Sequence, residues 1–356
     1  IEIEAEKPGM WDVSQQIASI ETSFQIAKYM EEGNAAYQVE KWDQVISAYE
    51  NALILDPELD DPLMNEQLLR GYLNRIISML ENENTSLEDI ENAEEYYRRA
   101  VAMTTQSKAF ASERGNLQKA SSNLLDLKFT QIAKANLADK NQTLASVAEA
   151  VTYIRKAANI EPENSALSSD LNNAEYYQIA FKNFLEMDWL QVVTNLNQIP
   201  SADSNYADGN ASLLLFEAYY VLGNEYNSVG LYLDAIKYLE QAEILAWNDS
   251  DNLLKLFQVQ VLLGETFGKV DDYKSAVSYY QYALNAIQIN KRLTEFPSTA
   301  AKLAEINVLI VYRKYEDAYF AFQEILKDID VIYSISEIEI GDGVCLALFA
   351  SENQST

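Results

Sequence analysis

One pattern recurs seven times along this chain and restricts its fold more than any other feature. It consists of an aromatic or β-branched residue, a small residue three later, a bulky one four further on, and a small or aliphatic one three beyond that. The first three copies are Trp42, Val45, Tyr49, Ala52; Ile90, Ala93, Tyr97, Ala100; and Val147, Ala150, Ile154, Ala157. The last four are Trp189, Val192, Leu196, Ile199; Tyr232, Ala235, Leu239, Ala242; Tyr273, Ala276, Tyr280, Ala283; and Tyr315, Ala318, Phe322, Ile325. Successive copies start 48, 57, 42, 43, 41 and 42 residues apart. Offsets of three, four and three place all four side chains on one face of a helix. Such a helix cannot bury its stripe alone, so each copy requires a partner helix and a neighbouring repeat.

The partners lie just upstream, in FQIAKYMEEGNAAYQ, LLLFEAYYVLGNEYNSV, LFQVQVLLGETFGKV and AAKLAEINVLIVYRK. In the first three, Gly33, Gly223 and Gly264 each sit twelve residues before the small residue of the second helix. A glycine inside a helix costs roughly 1 kcal/mol against alanine. Its return at one register therefore predicts a close helix–helix crossing. Only 11 Gly and 6 Pro occur in 356 residues, which suits long helices with short connections. Pro57, Pro62, Pro162, Pro200 and Pro297 fall between the expected pairs and Pro8 precedes them, so none need interrupt a helix.

The stretch GNAAYQVEKWDQVISAYENALILDP, Gly33 to Pro57, resembles a tetratricopeptide repeat almost throughout; Leu222 to Ala242 and Leu263 to Ala283 are similar to it as well. The resemblance covers roughly residues 21–330 and implies an all-α, right-handed helical-repeat solenoid of about seven antiparallel helix pairs. Departures are visible. The closing proline survives only as Pro57 and Pro162, ENENTSLEDI is inserted in copy two, extra residues occur near ADKNQTLAS in copy three, and copy four lacks the glycine. The spacing near 42 exceeds the usual 34, which predicts longer helices or longer loops. Residues 1–20 are expected to form an extension or cap, with a helix from Asp12. Residues 331–356 lose the columns and are expected to form a hairpin, or a helix end followed by a short helix, over the last repeat.

Composition removes whole classes of chemistry. Lys plus Arg number 26 against 55 Asp plus Glu, for a net charge of −29, with no histidine and a single cysteine, Cys345. A phosphate-backbone or anionic-lipid binder needs the opposite balance. An imidazole base, a Cys/His zinc site and an intrachain disulfide have no residues to form them. Cys345 lies in the apolar run VCLALFA and reads as a buried thiol. Phosphate-loop and nucleophile-elbow motifs are absent. Asp249-Ser-Asp251 and Asp328-Ile-Asp330 begin like calcium loops and do not continue. No metal, cofactor or catalytic residue is expected, and no run reaches the length of a membrane span.

The repeat geometry points instead to a polypeptide ligand. The face of the first helix of each pair not used for packing lines the inner surface of such a solenoid. It contains Met30, Asn34 and Tyr37 in copy one, Tyr177, Phe181 and Phe184 in copy four, and Glu217, Tyr220 and Asn224 in copy five. Copy six adds Val261 and Glu265, and copy seven Leu303, Asn307 and Ile310. The resemblance implies that such residues hold a peptide. The same face is also able to pack between repeats, above all at Phe181, Phe184 and Ile310. Chaperone-binding members of the family hold a C-terminal carboxylate with Lys and Arg beside such an Asn. Here Met30 precedes Asn34 and Tyr220 precedes Asn224, so that ligand is not expected.

Charge is uneven along the chain. Residues 1–60 carry 3 basic and 13 acidic residues, 61–160 carry 12 and 13, 161–260 carry 3 and 15, and 261–356 carry 8 and 14. The acidic stretch either draws in a neutral or basic partner or serves solubility. Arg98, Arg99, Lys108, Arg114 and Lys119 are alternatively placed to meet the acidic region of another copy in a homo-oligomer. The expected function is that of a protein–protein interaction scaffold. A sensor or regulatory portion of a larger signalling or membrane-anchored protein is the second reading, and a carboxylate-only glycoside-acting enzyme a distant third. The chain does not begin with Met, so it reads either as trimmed or as a fragment or mature portion of a longer, exported or anchored parent. Its compartment stays open.

Overall fold

The computed structural model describes residues 10–82, 84–103, 111–200, 205–248, 253–286 and 297–332. Among them the secondary structure is helical, with no strand. The helices are α1 (Met10–Gln38), α2 (Trp42–Leu55), α3 (Pro62–Leu80), α4 (Leu87–Ala102), α5 (Ala111–Ala138), α6 (Leu144–Ile160) and α7 (Ser165–Leu185). They continue with α8 (Trp189–Leu196), α9 (Asn210–Ser228), α10 (Tyr232–Asn248), α11 (Leu253–Lys269), α12 (Tyr273–Ala286), α13 (Pro297–Val311) and α14 (Tyr315–Ile332). Each copy of the column pattern begins on an even-numbered helix, and its odd-numbered partner precedes it. The chain is therefore a helical-repeat array of adjacent pairs.

It divides into two compact units: Ile1–Ile132 with Arg155–Leu167, and Ala133–Ile154 with Ser168–Thr356. In the first, α1 packs on α2, α2 on α3 and α3 on α4. In the second, α8 packs on α9, α9 on α10, α10 on α11, α11 on α12, α13 on α14 and α12 on α14. Within each unit the column pattern behaves as expected. The leading residue is half-buried in most copies, and the other three are buried everywhere except at Tyr97, which is half-buried. The buried alanines have no side chain beyond Cβ, so the neighbouring backbone approaches, while Tyr49, Tyr280 and Phe322 fill the space beside them.

The recurrent glycines sit at the close crossings. A Cβ at Gly264 would lie 2.5 Å from Tyr280 Cε1 and 3.1 Å from the Ala276 carbonyl oxygen; one at Gly223 would lie 2.5 Å from Leu239. A Cβ at Gly33 would collide with the Tyr49 ring. In each case the obstructing side chain is the third residue of the pattern in the partner helix.

Five of the seven pairs share one turn. The residue two before the leading aromatic is left-handed: Glu40 (φ 54°), Met187 (φ 60°), Gly230 (φ 82°), Asp271 (φ 63°) and Arg313 (φ 57°). The following amide closes a ring back onto the first helix, as in Lys41 N to Ala36 O (3.1 Å), Leu231 N to Tyr226 O (2.9 Å) and Lys314 N to Leu309 O (2.9 Å). This is the hydrogen-bonded ending usually built on glycine, here with glycine only once. Reversal through so short a connection makes the paired helices antiparallel. Copies two and three differ, as their insertions require. α4 starts on a capping box in which the Asp89 amide donates to Ser86 Oγ (3.1 Å). Before α6, the Ser146 amide donates to Thr143 Oγ1 (3.1 Å).

The prolines sit where expected. Pro62 is the first residue of α3 behind an Asp61 cap whose carboxylate accepts from the Met64 amide (2.8 Å), and Pro297 opens α13. α1 is continuous from Met10, so the described part of the N-terminal extension runs directly into the first repeat helix. Apart from the last residues of α14, the region 331–356, with Cys345, lies outside the described residues, as do Pro8, Lys108 and Asp249-Ser-Asp251; Asp328-Ile-Asp330 falls within α14.

Candidate functional site

The outward stripes of the odd-numbered helices are the candidate surface, and each unit presents its own. In the first unit Asn34 is exposed on α1, with Met30 one turn before it and Tyr37 one turn after, both half-buried. Asn34 and Tyr37 meet polar residues of α3. Tyr49 OH donates to Gln67 Oε1, and Gln67 Nε2 donates to Asn34 Oδ1 (3.1 Å). Arg70 donates from Nη1 to Tyr37 OH (3.1 Å), from Nε to Glu66 (3.0 Å) and from Nη2 to Glu113 of α5 (2.8 Å). Glu66 also pairs with Arg114 (3.5 Å). Burial opposes the Arg70 charge, and Glu66 and Tyr37 outweigh it, holding the guanidinium above its usual pKa. Burial, with Asp61 and Tyr37 nearby, pushes Tyr49 up to about 12. This stripe is therefore tied into a network of hydrogen bonds and ion pairs with Asn34 at its edge. The sequence pattern does not mark Gln67, Arg70 and Arg114 for this face, because the insertion in copy two removes the register that marks it elsewhere.

In the second unit the carboxylates of Glu217 and Glu265, 48 residues apart in sequence, both lie within electrostatic reach of Tyr220. Tyr220 is half-buried on α9 and stacks on Phe216, with ring centroids 6.0 Å apart and planes 10° apart. Burial raises its pKa most, and the carboxylates of Glu217 and Glu265 add to the shift. Glu265 also raises Tyr280 and Tyr319, after burial. Glu265, on α11, is thus within electrostatic reach of both the α9 stripe and the core of the last two pairs. Both carboxylates are half-buried, while Asn224 on α9 and Asn307 on α13 are exposed. Beneath the stripe, Lys255 Nζ sits 5.0 Å from the centre of the Phe216 ring.

Tyr177, expected on this surface, is fully buried. Its hydroxyl donates to Gln142 Oε1 (2.6 Å), and the Tyr206 ring lies 5.6 Å away. The segment Tyr206–Gly209 covers the α7 stripe with three consecutive left-handed residues, Ala207, Asp208 and Gly209. That backbone is strained for the two non-glycine residues, and contacts to the α5–α6 loop hold it. Asn210 Nδ2 donates to the carbonyls of Leu137 (2.9 Å) and Asp139 (3.0 Å), and Lys140 Nζ donates to the Asp208 carbonyl (3.0 Å). Phe181 and Phe184 are buried too. The α7 stripe thus serves packing, because a following loop that the repeat pattern does not describe occupies it.

The described residues also bear on metal, membrane and carboxylate chemistry. No group of three or more Cys, Asp or Glu there is arranged to hold a metal ion. No helix there is long and apolar enough to cross a membrane. Burial raises the pKa of Glu243, which accepts from Gln260 Nε2 (2.8 Å), but the carboxylate that influences it, Glu240, is one turn away on the same helix. A surface groove of about 600 Å³ between α1 and α2 is lined by residues including Glu32, Val39, Asp43, Gln44 and Ser47; neither Asn34 nor Tyr37 borders it.

Residues 216–243, which hold the Phe216–Tyr220 stack, the α9–α10 turn and most of α10, match the tetratricopeptide repeat family model. No curated protein matches the sequence. Among solved structures, the crystal structure of the P58(IPK) TPR domain is similar at 16% identity over 85% of this chain and 72% of that chain, with a TM-score of 0.28. The TPR2AB domain of yeast Sti1, in complex with pHSP90, is similar at 16% identity over 85% of this chain and 99% of that chain, with a TM-score of 0.24. The matched repeat and the same pair geometry recurring along the array together describe a helical-repeat chain that contains a tetratricopeptide repeat.

Proposed function

We propose that the chain is a protein–protein interaction scaffold that holds a neutral or basic polypeptide segment against the odd-helix stripe of the second unit, along α9, α11 and α13. The observation that carries this reading is that half-buried Glu217 and Glu265 both lie within electrostatic reach of half-buried Tyr220. The stripe there combines a flat aromatic surface with carboxylates in a medium less polar than water, where their attraction for a cation exceeds that of exposed charges. Residues 161–260 carry 15 acids against 3 bases, so the surrounding field favours the same class of ligand and speeds its approach. The exposed amides of Asn224 and Asn307 are suited to the backbone of an extended segment. In the first unit, Asn34 is the residue of the stripe that offers the same chemistry.

An array of equal-length peptides graded from acidic to basic, probed with the full chain, tests the reading. The basic members should be retained, and the Glu217→Gln/Glu265→Gln variant should weaken that retention about tenfold. Raising the salt should weaken it further. Equal binding of acidic and basic peptides, or an unaffected variant, would overturn it.

A further inference from the structure

α1 is much longer than its partner: 29 residues against 14 in α2, or about 43 Å against 21 Å. α2 runs back along its C-terminal half, where Gly33 and Ala36 are buried. The N-terminal half projects beyond α2, and every residue from Gln15 to Glu21 is exposed. Ile17 (53% exposed), Ile20 (68%) and Phe24 (69%) lie on it, followed by exposed Ala27. Their spacing of three, four and three is that of the apolar seam of a coiled coil. At 100° per residue this seam points away from Ile26, Met30 and Gly33, the side turned to α2. A solvated helix of this length is marginal in water by itself, and this one exposes three large apolar side chains.

We propose that the projecting half of α1 is a self-association surface, on which α1 of a second copy docks antiparallel through Ile17, Ile20, Phe24 and Ala27. Charge selects the occupant. Between residues 10 and 30 the charged residues are Asp12, Glu21 and Lys28, on a chain of net charge −29. A basic partner would find more attraction almost anywhere else, and an acidic one would be repelled by the remainder. An apolar, nearly neutral seam is matched by its own copy. Packing and charge together select the direction. With Ile17 opposite Ile20 of the second copy, two isoleucine layers form the centre of the seam and Phe24 is kept from meeting its own copy. A parallel pair would set Phe24 against Phe24 and Ala27 against Ala27, one layer crowded and one hollow. The antiparallel pair also places the acidic repeats of the two copies at opposite ends of a seam about 27 Å long. That exceeds the screening length of about 8 Å at physiological salt. The inference is independent of the peptide-binding reading.

Sedimentation equilibrium of the full chain over about a hundredfold concentration range tests it. The mass should rise from 40.3 kDa towards twice that value. Ile17→Glu/Ile20→Glu should hold it at the monomer value with the thermal unfolding of the repeats unchanged, because both positions are exposed. Ile54→Glu, at another exposed isoleucine, should leave the association intact. A wild-type chain that stays monomeric throughout overturns the proposal, as does a dimer that survives the double variant. For direction, Ile17→Cys and Ile20→Cys chains, both carrying Cys345→Ser, are mixed and oxidised. The mixed 17–20 disulfide is expected, and a predominance of 20–20 would overturn the antiparallel arrangement.

Discussion

Replacing Gly264 by alanine should destabilise the protein, although alanine is the better helix former. The new Cβ would lie 2.5 and 2.6 Å from two ring carbons of Tyr280 and 3.1 Å from the Ala276 carbonyl oxygen. Ordinary carbon contacts are about 3.5–4.0 Å, so roughly 1 Å must be opened. Tyr280 is fully buried, with the Tyr319 and Phe322 ring centroids 5.8 and 5.7 Å from its own. The ring has nowhere to swing, and the Ala276 oxygen belongs to the α12 backbone. α11 and α12 must therefore separate. Overpacking of this kind costs about 1–3 kcal/mol, and the upper end applies where backbone is involved. After about 1 kcal/mol is returned by helix propensity, a net loss of about 2 kcal/mol is expected. Gly115 is the internal control. It lies in α5, is exposed, and a Cβ added there would meet nothing within 4 Å, so Gly115→Ala should gain about 1 kcal/mol. The two identical substitutions should thus differ by about 3 kcal/mol in urea unfolding followed by circular dichroism. Hydrogen exchange should place the loss in α11 and α12, since repeat arrays open segmentally. If Gly264→Ala is as stabilising as Gly115→Ala, the close-crossing explanation of the recurrent glycines is wrong.

The turns and the tyrosines carry two further stability predictions. Met187 is exposed and left-handed; Met187→Gly removes about 1–2 kcal/mol of backbone strain and adds about 0.5–1 kcal/mol of chain entropy cost. A gain of about 0.5–1 kcal/mol should appear in thermal unfolding, and a drop in Tm would contradict the strain argument. Tyr49, Tyr177 and Tyr280 are essentially fully buried and stay neutral well above the ordinary tyrosine pKa of 10. Because the unfolded chain ionises there and the native one does not, their stabilisation is complete below pH 10 and is lost as pH rises towards 12 and beyond. The slope is about 1.4 kcal/mol per pH unit for each such tyrosine. Tyrosinate absorbance should show a fraction of the 23 tyrosines ionising only with loss of helix; free ionisation of all of them in the folded chain would refute it.

The even-numbered helices were legible because their burial is periodic: alanines at 93, 150, 235, 276 and 318 mark a face whatever the loops do. The crossings were legible through Gly33, Gly223 and Gly264, where a residue of poor propensity needed a reason. The turns were not, since glycine announces a left-handed ending only at Gly230, while Glu40, Met187, Asp271 and Arg313 adopt it because the flanking helices are fixed by packing. Tyr177 illustrates why the candidate surface was less legible than the fold. Its position on α7 matches that of residues facing outward in other pairs, but Tyr206, 29 positions later on an irregular loop, covers it. Periodicity reports which face of a helix is apolar and carries no information about a non-repeating segment that folds over it. The Glu66, Arg70 and Arg114 network escaped for the related reason that charged residues on adjacent helices have no fixed spacing in sequence.

Hydrogen exchange of the full chain, alone and with the basic peptide that the array selects, tests the claim of a polypeptide-holding surface most directly. Slowed exchange in α9, α11 and α13, with α10 and α12 unchanged, is the predicted result. Slowed exchange confined to the even-numbered helices, or none in the second unit while the peptide is bound, would contradict it.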